Sequence, residues 1–373
     1  MKIGFVFDDS LDKTDGVQQY VLALGNWLSQ NGHEIHYLVG QTKRTDIPHL
    51  YSLSKNVKVR FNGNRLSIPL PTSRSAIQKL LKQESYDVLH IQMPYSPLMA
   101  HRIIMCAPEK TAIVGTFHVA PASRIMSLGS KLLGWSVRSS LKRFDAILSV
   151  SIAAQKFAMQ SFGIKSEILP NVIDYQRFSS ARPLPQYNDN IRTLLFLGRL
   201  VPRKGCLTLL QAIQYLVTQN KTLPEFRVLI CGTGPLEDSL KLYVHEHNLE
   251  SWVAFIGYIS EVDKPRFYAS SDLSIFPSSG GESFGIVLLE AMACGHAAIL
   301  AGNNIGYASV LRDKQELLFP PTQYVELANK IEQMLVNDTY RNEYAIWGAQ
   351  YTSSFDTSIV AKKLLAIYKA ALR

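Results

Sequence analysis

Two periods of apolar and polar positions alternate along this chain. Short β-branched or apolar runs at residues 3–7, 34–39, 57–61, 88–91, 113–117 and 146–150 read as buried strands of a parallel sheet. Between them, residues 17–30 and 73–83 space their apolar side chains as one face of a helix does. The same rhythm starts afresh in the second half. Strands are predicted at 193–197, 227–231, 253–256, 273–276 and 298–301, separated by helices near 206–218, 236–246 and 284–293. A Pro-Asn turn in Leu169-Pro170-Asn171-Val172-Ile173-Asp174 suits a linker between the two series. The pattern predicts an α/β protein of two Rossmann-like, doubly wound parallel-sheet domains, 1–170 and 171–356, facing across a cleft. Residues 357–373 contain a last amphipathic stretch, expected to pack back on the first domain. The length agrees, because 373 residues exceed the roughly 250–300 at which one core stops growing.

Ligands of open α/β sheets bind beyond the carboxyl ends of the strands, so the loops there carry the candidate chemistry. The richest stretch is 279–295, Ser-Gly-Gly-Glu-Ser-Phe-Gly-Ile-Val-Leu-Leu-Glu-Ala-Met-Ala-Cys-Gly. Glu282 stands at the mouth of a helix that Gly295 closes, and Glu290 lies about two turns inside it. Taken singly, each glutamate is explained as well by a surface cap or a solvated helix position. A helix N-terminus offers unpaired N–H groups and the positive end of its dipole, so Ser283, Phe284 and Gly285 suit a phosphate. Three cations, Arg199, Arg203 and Lys204, fall within six positions after the first strand of the second domain, a density that suits a diphosphate. Gly16 follows the first strand of the chain, where a missing Cβ permits close backbone approach. His118 ends a strand of the first domain, as does His90, which reads as structural. Gly232-Thr233-Gly234-Pro235 lacks the third glycine of the dinucleotide fingerprint.

Composition narrows the class. Hydrophobic residues make up 47% and charged residues 18% of an ordinary folded protein, and no apolar run reaches the ~18 residues of a membrane span. The N-terminus enters a strand directly, without the apolar region of a signal peptide. Cys106, Cys206, Cys231 and Cys294 are scattered, without a C-x-x-C pair, and read as reduced thiols with no zinc site. The net charge of +9 is lopsided: residues 1–170 hold 20 Lys and Arg against 11 Asp and Glu, and the remainder holds 19 of each. The first half therefore expects an anionic partner. No nucleic-acid module accompanies the charge, which favours a membrane surface. Within 124–143, Leu128, Leu132 and Trp135 share one helical face, while Lys131, Arg138 and Lys142 fall on another.

Two glutamates with seven residues between them, after Phe-Leu-Gly-Arg at 196–199 and Arg-Lys-Gly at 203–205, resemble the signature of the retaining GT-B glycosyltransferases. Gly16-Val17-Gln18, Phe61-Asn62-Gly63 and Thr116-Phe117-His118 extend the resemblance toward the bacterial phosphatidyl-myo-inositol mannosyltransferases, over nearly the whole chain. The resemblance implies that Glu282 contacts the donor sugar, Glu290 holds the nucleotide ribose, and Gly257 to Ile259 line the base. It implies that Arg199 and Lys204, with Arg203 beside them, neutralise the departing diphosphate. The backbone of Ser283 to Ile286 and of Gly16 would add N–H groups there, and His118 would position the sugar. Gln18, Asn62, Arg65 and Arg124 are the expected acceptor contacts. The acceptor side also departs from the family: Asp8-Asp9-Ser10 stands where Pro-Tyr-Ser is usual, and Val119-Ala120-Pro121-Ala122 replaces a Ser/Thr-rich stretch with a lysine.

The implied protein is a retaining, metal-independent transferase without cofactor, moving mannose from GDP-mannose to a phosphatidylinositol-type lipid. It is expected in the cytoplasm, peripheral on the inner face of the membrane. Open alternatives are a UDP-glucose or UDP-galactose transferase acting on diacylglycerol, a lipid-linked sugar or a polysaccharide. A nicotinamide oxidoreductase and a non-catalytic sugar-nucleotide-binding protein are those of another class.

Overall fold

The computed structural model describes residues 1–12, 16–61, 64–70, 72–119, 134–219 and 222–372. Contacts divide the chain into two units: Met1–Val172 with Thr357–Arg373, and Ile173–Asp356.

Unit 1 is built on a seven-stranded parallel sheet. Its strands are β1 (Lys2–Phe7), β2 (Glu34–Val39), β3 (Leu50–Ser52), β6 (Val88–Ile91), β7 (Ala112–Phe117), β8 (Ala146–Ser149) and β9 (Glu167–Ile168), in the order β3-β2-β1-β6-β7-β8-β9. β4 (Asn56–Phe61) and β5 (Asn64–Pro69) form a separate antiparallel ribbon. The strand expected at 57–61 therefore does not enter the parallel sheet. Val57, Val59 and Phe61 alternate with Lys58 and Arg60, a period-two pattern that suits a ribbon with one covered face, whereas a buried parallel strand is apolar throughout.

Both faces of that sheet are covered. Ile3, Phe5 and Phe7 of β1 pack with Leu24 and Leu28 of helix Gly16–Gln30 and with Val360, Leu364 and Tyr368 of helix Thr357–Ala371. Val6 points the other way, into a cluster with Ile77 and Leu81 of helix Arg74–Glu84 and Ile103 and Ile104 of helix Met99–Cys106. Capping marks the helix ends. Ser151 takes the N–H of Ala154 on its hydroxyl at the start of helix Ile152–Phe162, and Gly163 ends it in the left-handed conformation.

Unit 2 repeats the plan with β10 (Arg192–Leu197), β11 (Phe226–Cys231), β12 (Val253–Gly257), β13 (Leu273–Phe276), β14 (Ala298–Gly302) and β15 (Leu318–Phe319). All pairs are parallel, in the order β12-β11-β10-β13-β14-β15. One core joins the inner residues of these strands to helices Cys206–Thr218, Ile286–Ala293 and Tyr324–Val336.

A buried polar contact ties the last helix into unit 1. His90 of β6, fully buried, holds the Tyr368 hydroxyl at 2.7 Å from Nδ1 and the Thr116 hydroxyl at 2.7 Å from Nε2. Burial, helped by the nearby His118, pushes the His90 imidazole down to about 3. An unfolded histidine titrates near ~6.5. Below that pH the unfolded chain takes a proton that the folded chain refuses, so this contribution is full above pH 6.5 and is lost as pH falls toward 3. Tyr368→Phe leaves a buried ring nitrogen without its partner and is expected to cost about 1–3 kcal/mol in urea unfolding at neutral pH. An unchanged unfolding midpoint would show that the contact contributes nothing. His90→Gln is expected to flatten the decline of stability between pH 6.5 and 4.

Candidate active site

In unit 2 the chain runs from β10 outward to β11 and β12, then returns to place β13 on the other side of β10. The loops after β10 and β13 therefore diverge at a switch point, the place where open α/β sheets bind ligands. Gly205 has φ +71, and a Cβ there would lie 2.1 Å from the carbonyl oxygen of Pro277, so the two loops touch backbone to backbone. The Ser279 N–H donates to the Arg203 carbonyl at 2.8 Å.

This seam sets the Glu282 carboxylate. Its Oε1 accepts from Arg203 Nη1 at 2.8 Å, Lys204 Nζ at 2.8 Å and the Ser278 hydroxyl at 2.9 Å. Burial alone would raise this acid, but the charges of Lys204 and Arg203 and the hydrogen bonds from Lys204 and Ser278 outweigh it, so the carboxyl sits below the usual range. All three donors reach one oxygen, which leaves Oε2 to accept from a ligand hydroxyl. Arg199 lies exposed on the same loop.

Beyond Glu282 the chain enters helix Ile286–Ala293 through Gly285, whose φ is +112 and whose Cβ would meet the Tyr307 ring at 2.6 Å. The N-cap residue, Gly285, has no side chain to cap this N-terminus, so its first N–H groups suit an anion. The Phe284 ring is buried and packs against Phe355 at 6.0 Å between centroids, which fixes the turn between Ser283 and the helix. Glu290 is buried one turn further in. Lys264 Nζ lies 2.7 Å from its Oε1, and the Tyr268 hydroxyl donates to Oε2 at 3.3 Å. Lys264 also reaches Glu261 at 2.7 Å. Burial would lower this ammonium, but Glu290 and Glu261 together raise it, so it stays charged. A carboxylate has about four acceptor positions, so Glu290 keeps room for two hydroxyls. The loop after β12 begins at Gly257 (φ +78); Tyr258 is 74% exposed and Ile259 packs against the core.

The switch point of unit 1 falls between β1 and β6. Asp8, just past β1, is buried; it accepts from the Ser96 hydroxyl and, at 2.9 Å, from the Ala100 N–H in the first turn of helix Met99–Cys106. Burial pushes its carboxyl up to about 6 against those bonds, and the Asp9 charge adds to the rise. Gln18, on the first turn of helix Gly16–Gln30, donates from Nε2 to the Ser10 carbonyl at 3.1 Å and keeps a buried Oε1 without a partner. His118 follows β7. Its Nε2 lies 2.9 Å from Oε1 of Gln92, and its ring stands edge-on to Tyr20 at 4.9 Å. Burial pushes this imidazole down to about 3, so it is neutral at physiological pH.

Ser278, Lys264, Tyr268 and Gln92 had no signal of their own in the sequence. Asn62, Arg124 and Lys131 lie outside the described residues, and of Arg65 only the backbone is described, in β5. Trp135 is 76% exposed, and Arg138 and Lys142 are exposed beside it on and next to helix Arg138–Leu141. Among the described residues one group could hold a metal ion, Glu34, His36 and Glu84, with ligand atoms within 4.8 Å of one another. It stands at the opposite, amino-terminal edge of the sheet, and the Lys2 ammonium already lies 3.0 Å from Glu34 and 2.5 Å from Glu84.

Known proteins share this plan. Residues 181–350 match the model of glycosyl transferases group 1, and residues 14–177 that of glycosyltransferase family 4. The chain is 31% identical to the phosphatidyl-myo-inositol mannosyltransferase of Mycolicibacterium smegmatis over 373 residues, covering 99% of this chain and 94% of the relative. It is 23% identical to a GDP-mannose-dependent monoacylated alpha-(1-6)-phosphatidylinositol monomannoside mannosyltransferase of Corynebacterium glutamicum, covering 99% and 98%. Among solved structures, Anabaena HepE in complex with UDP superposes with a TM-score of 0.74 at 16% identity, covering 99% of this chain and all of that one. Two parallel-sheet units, the paired glutamates and the length of the match agree: the chain is a GT-B glycosyltransferase and belongs to the family of the phosphatidyl-myo-inositol mannosyltransferases.

Proposed function

We propose that this protein transfers mannose from GDP-mannose to a phosphatidylinositol-type lipid, with retention at the anomeric carbon and no metal ion. The observation that carries the reading is the Glu282 carboxylate held between Arg203 and Lys204 beside an uncapped helix N-terminus. A departing nucleoside diphosphate gains negative charge in the transition state. Arg203, Lys204 and the first N–H groups of helix Ile286–Ala293 are fixed, half-buried donors for that charge. Arg199, exposed nearby, adds to the field. Glu282 keeps Oε2 for a hydroxyl of the transferred sugar, and Glu290 keeps room for the two ribose hydroxyls. Gly257 and Ile259 border the base, and the exposed Tyr258 offers it a ring.

On unit 1, the oxygen of Gln92 beside Nε2 of His118 makes that nitrogen the donor, so a neutral ring presents Nδ1 as an acceptor for a sugar hydroxyl. The waiting Oε1 of Gln18 suits a polyol acceptor in the same way. Mannose and GDP are favoured by the names of the Mycolicibacterium and Corynebacterium relatives, and the inositol lipid by the same names. A UDP-hexose donor is the second reading, favoured by the UDP held in the Anabaena structure.

Membrane association completes the reading. Among the described residues no helix is long and apolar enough to cross a bilayer, and the basic excess lies in residues 1–170. An exposed Trp135 with Arg138 and Lys142 beside it suits the surface of an anionic leaflet, the expected inner face.

GDP at ~100 times its dissociation constant should stabilise the protein by about 2.7 kcal/mol. The shift is expected to persist in EDTA and to exceed that of UDP; the reverse selectivity would move the donor to UDP-hexose, and loss in EDTA would overturn metal independence. Lys204→Ala and Glu282→Gln are expected to lower kcat by about 10²–10³-fold, the size of losing one transition-state donor, with the anomeric configuration of product read by NMR. Near-normal turnover in both variants would remove the site from the chemistry. Binding to anionic vesicles should fall with added salt and with Trp135→Ala, Arg138→Glu and Lys142→Glu combined; salt-insensitive binding would place the membrane contact elsewhere.

A further inference from the structure

A groove of about 240 Å³ opens on unit 2, apart from the loops used so far. One wall is the outward face of helix Cys206–Thr218, where Gln211, Gln214, Tyr215 and Thr218 recur at helical spacing. The inward face of the same helix, with Leu209, Leu210, Ile213 and Leu216, belongs to the core. Tyr243 of helix Glu237–Glu246 and Tyr324, the first residue of helix Tyr324–Val336, complete the lining. The groove lies along the first helix from its second turn onward, whereas Lys204 and Glu282 meet before that helix begins. No residue of the Glu282 site lines it.

Its hydrogen-bonding capacity is only partly spent. The Tyr243 hydroxyl donates to Gln214 Oε1 at 2.5 Å, and the Thr218 hydroxyl donates to a carbonyl of its own helix. Gln214 therefore keeps both amide protons, and Tyr243 keeps an oxygen that can still accept. Among the described residues, the Gln211 amide and the Tyr215 and Tyr324 hydroxyls have no hydrogen-bond partner. The Tyr215 and Tyr324 rings stand edge to face, 6.3 Å between centroids. Tyr215 is anchored against the core and Tyr324 is 39% exposed, so the pair offers ring surface as well as hydroxyls. Burial and then the nearby Tyr324 raise the Tyr243 phenol, which places those two hydroxyls close together. None of the lining residues carries a charge.

Ring faces, together with amides and hydroxyls that both give and take hydrogen bonds, match a molecule with apolar C–H faces and a rim of hydroxyls. An ion finds no opposite charge among these side chains. We propose that this groove binds a neutral sugar unit of a glycan chain. The chain is a glycosyltransferase, so glycans are molecules that it works among. A glycan moored here is held at the enzyme but away from the Glu282 site, which raises its local concentration without occupying the place of transfer. The proposal rests on neither the nucleotide of the donor nor the identity of the lipid.

The test is saturation-transfer NMR titration on the full chain with mannotriose, maltotriose and a proline-rich peptide. It is repeated on Tyr324→Ala, Gln211→Ala and, as a control for the active site, Glu282→Gln. Gln211→Ala removes an amide that has no partner, so its melting temperature should match the wild type even if Tyr324→Ala unfolds. At least one trisaccharide is expected to bind the wild type and Glu282→Gln alike, and to bind the two groove variants roughly tenfold more weakly. Binding of neither trisaccharide, or undiminished binding in both groove variants, would overturn the proposal. Loss in Glu282→Gln alone would do the same by assigning the sugar to the active site. Binding of the peptide but not the sugars, abolished by the groove variants, would overturn it in favour of a protein partner. Binding is read without turnover, so groove-dependent sugar binding by a protein inactive on phosphatidylinositol would count against the proposed reaction alone.

Discussion

A parallel sheet covered by helices on both faces leaves polar side chains almost nowhere to stand except beyond the ends of its strands. That constraint shapes both units. The inner strands here are mostly apolar, and the few polar side chains within them, such as His90 and Thr116, are buried, those two bonded to each other. Charge and hydrogen-bonding capacity are expelled to the carboxyl edge. There the order of strands reverses, and the chain just beyond them carries Glu282, Arg203 and Lys204 in one unit and Asp8 and Gln18 in the other.

The two edges solve the burial of an acid differently. Glu282 is held between two cations, Arg203 and Lys204, and its carboxyl sits below the usual range. Asp8 has only a hydroxyl and a helix N–H, with another carboxylate as its neighbour in sequence, and burial wins. The same residue type, a carboxylate just past a strand, thus becomes a permanent charge in one unit and a group that titrates near neutrality in the other. This contrast follows from which loop lies opposite.

Most of the framework was legible because period and length are local properties. The strands at 193–197, 227–231 and 298–301 and the helix at 206–218 follow directly from runs of Leu, Ile, Val and Ala. The ribbon at 56–69 was misplaced because the alternation of Val57, Val59 and Phe61 with Lys58 and Arg60 was read as one more buried run. β3, β9 and β15, two or three residues each, are too short to carry a period. In the site, the clustering of cations and glutamates was readable, yet their pairings were not. Lys264 meets Glu290 from 26 positions away and Gln92 meets His118 from 26 away. Such contacts depend on how two elements pack, which no local pattern encodes. Arg199 looks equivalent to Arg203 in sequence and is left on the exposed side of its loop.

The helix Thr357–Ala371 belongs to the unit that the chain begins with, and the whole of the other unit is written between them. Unit 2 is continuous in sequence, so a ribosome releases everything it needs before the final helix emerges. Unit 1 waits longer: until Tyr368 is made, 278 residues after His90, the imidazole at the centre of its sheet lacks its hydroxyl and a strip of apolar surface on Ile3, Phe5 and Phe7 lacks its cover. Domains usually mature in the order of synthesis. Here the sheet of unit 1 is made before unit 2, and the helix that completes its core is made after it.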